Sequence, residues 1–350
     1  MDRRGKLIGG LNLQTAVGVE IGALCNPILT KADATVLYVD YADADTLRRH
    51  YSGNPQIDPA KIVETDVIWG AKPLKESLDR EIDFVIASHV VEHVPDLIAW
   101  LNELHSVLSP SGDIRLAVPD RRFTFDFLRR ETQLAEVLAA YLAHARVPQP
   151  YFILDYFLNA VAVDSMAAWR GEVSADSLIR AADVRNTLDL ARNTLQTGAY
   201  CDAHCWVFTP YSFAMLLAQL GAAGLISLSC EQFFDTEPNT IEFFVTLRAC
   251  KDQTRVVDSW RRMAETCRVD VPDSRDNTAI RELTNELSVA TDALAAAKAD
   301  TDRLQQKLYL TESRLQSALA TIESIYHSNS WRMTEPLRRM KTSFNRRASR

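Results

Sequence analysis

The sequence predicts an α/β protein built on a mostly parallel sheet with a helical insertion, followed by an α-helical coiled coil. Three observations carry this. Short apolar runs alternate with amphipathic stretches from residue 16 to residue 250, the pattern of strand and helix in turn. The alternation lapses after Pro119 and resumes near Pro210, leaving a mostly helical block between. From Ile280 to Ile325 a 3,4 spacing of mainly apolar residues runs on with no glycine or proline.

The elements follow in order. Val17–Ile21 and Thr35–Asp40 read as the first two strands, with a helix from Asp43 to Tyr51 behind the second. A weaker third strand is expected at Lys61–Glu64, with Thr65, Asp66 and Val67 at its end. Asp83–Ser88 is a buried strand, and Leu97, Leu101, Leu104 and Leu108 share one face of the helix after it. Ser109–Gly112 turns the chain into a fifth strand, Asp113–Val118. Helices are expected within 134–146, 151–163 and 181–195, then at 210–221, before strands at 225–230 and 242–247. The helical block 121–200 would sit over the carboxyl edge of the sheet, where open α/β sheets bind ligands, and is read as a substrate cap.

The expected organisation is a catalytic domain over 1–250, a linker over 251–279, a coiled coil over 280–326 and a basic tail over 327–350. The coiled-coil seam cannot be buried by one helix, so self-association is expected. The tail carries seven Arg or Lys residues against one Glu. Across the 350 residues, 47% hydrophobic and 24% charged is an ordinary globular balance. A net charge of −7 argues against nucleic-acid binding. The first ten residues lack the apolar core of a secretory signal, and no stretch approaches the ~20 apolar residues that span a bilayer. A cytoplasmic protein with six reduced cysteines is expected, with peripheral attachment to the inner face of the membrane open to the tail.

Chemistry concentrates at strand ends. Val19-Glu20-Ile21-Gly22 opens into Ala23-Leu24-Cys25-Asn26, and a glycine there lets the backbone approach a ligand closely. Asp40, ending the second strand, suits a carboxylate accepting from two ribose hydroxyls. Asp66, near the end of the third, suits an adenine amine. A nicotinamide dehydrogenase would want the full Gly-x-Gly-x-x-Gly turn for its pyrophosphate, and none is present.

In that order, Val-Glu20-Ile-Gly22, Tyr-Val-Asp40, Thr-Asp66-Val67, Ser88-His89-Val-Val-Glu92-His93-Val and Leu-Ser-Pro-Ser-Gly112 resemble the class I S-adenosylmethionine-dependent methyltransferases, especially their small-molecule branch. The resemblance implies a Rossmann-like seven-stranded sheet with a reversed final hairpin and S-adenosylmethionine across the strand ends. It implies that Gly22 and the following loop, with Ala23 and Asn26, contact the methionine portion beside Glu20. Asp40 would hold the ribose, Asp66 and Val67 the adenine, and Ser88 and His89 the cofactor's other side. The loop holds one glycine where the family's is richer.

Methyl transfer to a hydroxyl needs position and a base. His204 lies in the segment returning from the insertion, and Asp202, two residues earlier in an extended run, is expected on the same side to orient it. His93 stands just past the fourth strand, at the same edge. Asp120, Arg121 and Arg122 would face substrate or solvent. Cys201 and Cys205 lack the further ligands a structural zinc needs, so no metal is expected.

The tail segment Ser328–Arg338 resembles one found near the ends of bacterial glycosyltransferases and polysaccharide-building enzymes. Val118–Asp126 and Asp202–Pro210 resemble methyltransferases of the same systems. That resemblance implies methylation of a sugar hydroxyl of a surface glycan or its lipid-linked precursor, with a terminal, chain-capping hydroxyl among the candidates, and with a glycosyltransferase or a membrane surface as the tail's partner. The alternatives are a non-catalytic scaffold in a glycan-assembly complex and a methyltransferase of a small metabolite.

Overall fold

The computed structural model describes residues 1–55, 57–70, 72–180, 183–267 and 278–338. It divides into two compact units, Met1–Asp276 and Asn277–Arg350.

In the first unit seven strands form one sheet: Val17–Ile21 (β1), Thr35–Asp40 (β2), Val67–Ile68 (β3), Ile82–Ser88 (β4), Leu108–Pro119 (β5), Leu228–Phe234 (β6) and Glu242–Ala249 (β7). Their order is β3-β2-β1-β4-β5-β7-β6, and only β7 runs antiparallel to its neighbours. The chain winds outward in both directions from β1 and β4. The carboxyl ends of that pair therefore flank the crevice where such sheets take ligands. Gly18 of β1 pairs with Phe84 of β4 and makes room for its ring, which a Cβ at Gly18 would meet at 2.0 Å.

The third strand differs from expectation. Pro59–Lys61 is a 3-10 turn, with the Asp58 carboxylate accepting from the Ala60 amide at 3.1 Å, and pairing begins only at Val67. Proline offers no amide to a ladder, and the aspartate supplies the turn instead.

Helices cover both faces. Arg3–Ile8 (α1) was not expected; Asp2 caps it at the Gly5 amide, and Arg115 ties its end by donating to the carbonyls of Leu7 and Gly9. Ala44–His50 (α2) and Leu74–Ser77 (α3) follow, then Leu97–Val107 (α4), whose Leu97, Leu101 and Leu104 are fully buried. The insertion holds Leu134–Leu142 (α5), Pro150–Asn159 (α6), Ser165–Trp169 (α7) and Val184–Thr197 (α8). α5 and α6 stop short of the expected ends. His144 takes a left-handed conformation, and the Val161 amide leaves the helical pattern to donate to the Phe125 carbonyl. α8 ends at Gly198, also left-handed. Pro210–Ala222 (α9) returns the chain to the sheet behind a Thr209–Ser212 capping box.

The linker expected over 251–279 needs correction. Gln253–Thr266 (α10) is a core helix packed on α9 and β6, with Val256 and Trp260 fully buried and the indole donating to the Leu228 carbonyl at 2.8 Å. Its buried Val256, Ser259, Trp260, Met263 and Ala264 follow helical spacing along one face. Residues 268–277 lie outside those described.

The second unit holds Thr278–His327 (α11), 50 residues long, and Asn329–Met333 (α12). Seam residues Leu304, Leu308, Leu315, Ile322 and Ile325 are exposed along α11. Trp331 packs edge-on to Tyr326 and carries the Arg338 guanidinium over its ring at 3.7 Å. The tail beyond 338 lies outside the described residues. No helix among those described is long and apolar enough to cross a membrane.

Candidate active site

A cavity of about 770 Å³ opens at the carboxyl edge of the sheet. Its floor is the ends of β1, β2 and β4, through Gly22, Asp40 and His89. Its roof is the insertion, through Phe123, Phe125, Tyr156 and Val161–Val163. The returning segment closes one side with Tyr200, Asp202 and His204.

On the floor, Gly22 is left-handed at φ +66, and a Cβ there would meet Val90 at 2.9 Å. Glycine thus holds the wall open at this point. Asp40 reaches the cavity from β2, one carboxylate oxygen accepting from the Tyr41 amide at 2.8 Å. Burial, with the Asp202 charge nearby, pushes its pKa up to about 6. His89, left-handed at φ +54, bonds Glu242 at 2.8 Å and lines the cavity. Burial opposes a charge on it, yet the carboxylates of Glu242 and Glu92 hold its pKa above the ordinary value.

Several expected cofactor residues are engaged elsewhere. Glu20 is buried and accepts from the amides of Ile28 and Leu29 at 2.6 and 3.1 Å, so it shapes the loop after β1 from behind. Ala23 packs in the core beneath, Asn26 is exposed at a turn, and Leu24 lines the cavity in their place. Both oxygens of Asp66 are occupied, one by the Lys31 ammonium at 2.5 Å and the other by the Tyr38 amide at 2.8 Å. Val67 pairs with Val39 and packs against the core. The Ser88 hydroxyl accepts from Arg3 at 2.6 Å. None of these six residues, Glu20, Ala23, Asn26, Asp66, Val67 and Ser88, lines the cavity.

Across the cavity the returning segment is locked to the end of β4. The amides of Cys205 and Trp206 both donate to the Glu92 carbonyl, at 2.7 and 3.1 Å, and the Trp206 indole donates to the Val94 carbonyl at 2.7 Å. This brings the His204 and His93 rings together edge to face, with centroids 4.5 Å apart.

Their orienting acids are not the expected ones. His204 Nδ1 bonds Asp126 at 2.6 Å, whereas Asp202 lies 2.8 Å from His93 Nδ1. The segment is not a strand, so two-residue alternation does not govern it. Arg129, buried, donates to Asp126, Asp155 and the His204 carbonyl, which holds the pair rigidly. Burial would raise the Asp126 pKa, but His204 and Arg129 bring it down to about 2. That leaves His204 Nε2 as the nitrogen not engaged by Asp126. Asp202 also takes the hydroxyl of Tyr200 at 3.3 Å and meets that of Tyr51 at 3.5 Å. His93 is half-buried, and loss of solvent disfavours its charge, but Asp202 and Glu92 raise its pKa nonetheless. The Glu92 carboxylate is fully buried at the cavity wall, and neither oxygen has a hydrogen-bond partner.

Asp120, Arg121 and Arg122 face neither substrate nor solvent. All three are buried, and Asp120 pairs with Arg122 at 2.7 Å and accepts from Thr236. Cys201 and Cys205 are buried thiols whose pKa values burial raises.

A family model described as a methyltransferase domain matches residues 15–225, well over half of the chain. The chain belongs to that methyltransferase family. Three solved structures are among those similar to the methyltransferase. A protein described as a Zn-dependent alcohol dehydrogenase from Rhodobacter sphaeroides is 14% identical, with 71% of this chain and 90% of that one covered and a TM-score of 0.41. The CcbJ methyltransferase from Streptomyces caelestis is 12% identical, with 71% and 94% covered and a TM-score of 0.35. Magnesium protoporphyrin IX methyltransferase from Synechocystis, with bound S-adenosylhomocysteine, is 10% identical, with 70% and 78% covered and a TM-score of 0.32. A search of the curated proteins found no match to the methyltransferase's sequence.

The residues present fit an S-adenosyl donor. Asp40 offers a carboxylate at the end of β2, Gly22 an opening free of side chain, and Leu24 and Val90 apolar wall.

Proposed function

We propose that this methyltransferase moves a methyl group from S-adenosylmethionine to a sugar hydroxyl of a bacterial surface glycan or its lipid-linked precursor. The observation that carries the reading is a buried His204–Asp126 pair facing a cavity whose acceptor side is aromatic and acidic. Phe125 and Tyr156 flank His204 at 4.8 and 5.3 Å, Tyr41 and Tyr200 pack at 4.8 Å, and Asp202 and Glu92 supply carboxylates. Aromatic faces suit the C–H faces of a sugar and carboxylates accept from its hydroxyls, whereas a small apolar metabolite would favour a drier wall.

Bound S-adenosylmethionine supplies an electrophilic sulfonium methyl. The chain's residues do the rest. Asp40 holds the ribose, and the aromatic wall presents the acceptor oxygen in line with the methyl. The donor would supply the methyl with its C–S bonding pair left on sulfur, so the residues need only hold the acceptor oxygen and take its proton. The hydroxyl proton passes to His204 Nε2 whenever that nitrogen has no other ligand, and Asp126 stabilises the imidazolium.

On this reading the enzyme works at the inner face of the cell membrane. The exposed seam of α11 pairs with a second copy, and the basic tail meets anionic lipid or a glycosyltransferase. Mass spectrometry of the producing cell's surface polysaccharide, with and without this chain, tests the reading. One methyl per glycan is expected to disappear with the chain; an unchanged glycan would reject the proposed acceptor.

A further inference from the structure

We infer that Glu92, His93 and His204 form a binding site for one divalent transition-metal ion, of the zinc or ferrous class, at the acceptor end of the cavity. Their donor atoms all lie within 4.8 Å of one another, and Glu92 Oε1 stands 3.9 Å from His93 Nε2. Two ligands on one such ion, each at ~2.1 Å, sit roughly 3.3 Å apart, so modest side-chain rotations close the set.

Two independent features mark these residues as ligands rather than neighbours. The first is Glu92. Its side chain is fully buried, yet both carboxylate oxygens lack a hydrogen-bond partner. A buried polar group left unpaired is costly, and a cation is the partner that satisfies a carboxylate best. The second is the acid behind each imidazole. Asp126 bonds His204 Nδ1 at 2.6 Å, which leaves that ring's Nε2 for a ligand, and Asp202 stands 2.8 Å from His93 Nδ1, where a small rotation of the ring completes the bond. Metal-binding histidines usually carry a carboxylate, a backbone carbonyl or a water on the other ring nitrogen, where it sets tautomer and orientation.

The donor set names the ion's class. Two imidazoles and one carboxylate on a single face suit zinc or ferrous ion, whereas magnesium and calcium prefer oxygen alone. Neither Cys201 nor Cys205 belongs to the set. Three protein ligands leave positions open toward the cavity, and a hydroxyl of the acceptor fits there. Its O–H bond then breaks with the electron pair staying on the metal-held oxygen and the proton passing to water. His204 is a ligand in that state, and the metal ionises the hydroxyl in place of the imidazole. The role of the ion rests on the proposed methyl transfer; its binding does not.

The test is a Co²⁺ titration of the full chain after chelator treatment, followed by visible absorbance and completed by Zn²⁺ competition. One ion per chain is expected, without the near-ultraviolet band that thiolate ligation gives. Glu92→Gln and His204→Asn should each weaken it more than about tenfold. Glu92→Gln removes a buried charge that accepts no hydrogen bond and His204→Asn keeps a donor for Asp126, so both variants should stay folded, with melting temperatures near that of the wild type, in the absence of metal. Zn²⁺ should raise that temperature in the wild type alone. Absent binding, or binding that both variants keep, overturns the site. Methyl transfer assayed on the same chelated and reloaded samples separates the two claims. Transfer without metal binding would reject the site alone, and metal binding without transfer would reject the acceptor reading alone.

Discussion

His204→Asn is expected to lower kcat by about 10²- to 10⁴-fold while leaving S-adenosylhomocysteine affinity unchanged. The imidazole stands on the acceptor side, between Phe125 and Tyr156, and does not touch the floor that holds the donor. On the proposed mechanism its loss removes the group that ionises the acceptor hydroxyl, whether as proton acceptor or as ligand. Asparagine keeps a donor near the old Nδ1 position, so Asp126 is not stranded beside Arg129. Asp126→Asn should reproduce most of the kcat loss, because it removes the group that fixes the tautomer and supports the charge. Asp202→Asn acts on His93 and should cost less. Steady-state kinetics on the three variants, with the donor's affinity measured by calorimetry, decides this. An Asp202→Asn variant as damaged as His204→Asn, beside a healthy Asp126→Asn, would restore the pairing first expected from sequence.

Asp40→Asn should pull stability and function in opposite directions. Two charge-assisted hydrogen bonds to a ribose are worth about 3 kcal/mol together, so donor affinity should fall about 100-fold. Affinity for S-adenosylhomocysteine in the wild type should also decline as pH drops below 6, where Asp40 takes up a proton. The stability effect has the other sign. The carboxyl's pKa is raised in the folded state, from 3.8 to about 6. The native chain therefore holds this proton more tightly than the unfolded one. That contribution is fully present below pH 3.8 and is lost as pH rises through 6. At pH 7 the ionised group opposes folding, and a neutral isostere removes the penalty. With some solvent access left to the side chain, the gain is about 2 kcal/mol. Calorimetry and thermal melts from pH 5 to pH 8 read both effects. A variant that loses stability without losing the donor would refute the role given to Asp40.

These two residues also show what a sequence can and cannot carry. The sheet was legible because β1, β2 and β4 are unmistakable apolar runs and the turns between them use glycine, proline and aspartate. Acids at strand ends were legible as positions, but not as directions. Asp40 and Asp66 look alike in sequence; one opens into the cavity and the other is spent on Tyr38 and Lys31. Glu20 likewise faces its own loop. The partner of His204 was beyond local reading, because Asp126 lies 78 residues away and meets it only once the insertion has folded. Glu92 stood in a motif noted from sequence, yet nothing in that motif says that its carboxylate is buried without a partner. α10 is the opposite case: its buried Val256, Ser259, Trp260, Met263 and Ala264 keep a helical period within the stretch expected to be linker.

The central claim is transfer of a methyl group to a hydroxyl in this cavity. Labelled S-adenosylmethionine incubated with the full chain and a surface-glycan extract tests it most directly. The account predicts label in the carbohydrate as an alkali-stable methyl ether, reduced by Asp40→Asn at limiting donor in step with its about 100-fold weaker donor binding, and reduced at least about 100-fold by His204→Asn. Label recovered only in an alkali-labile ester, or no transfer from a chain that binds the donor, would contradict it.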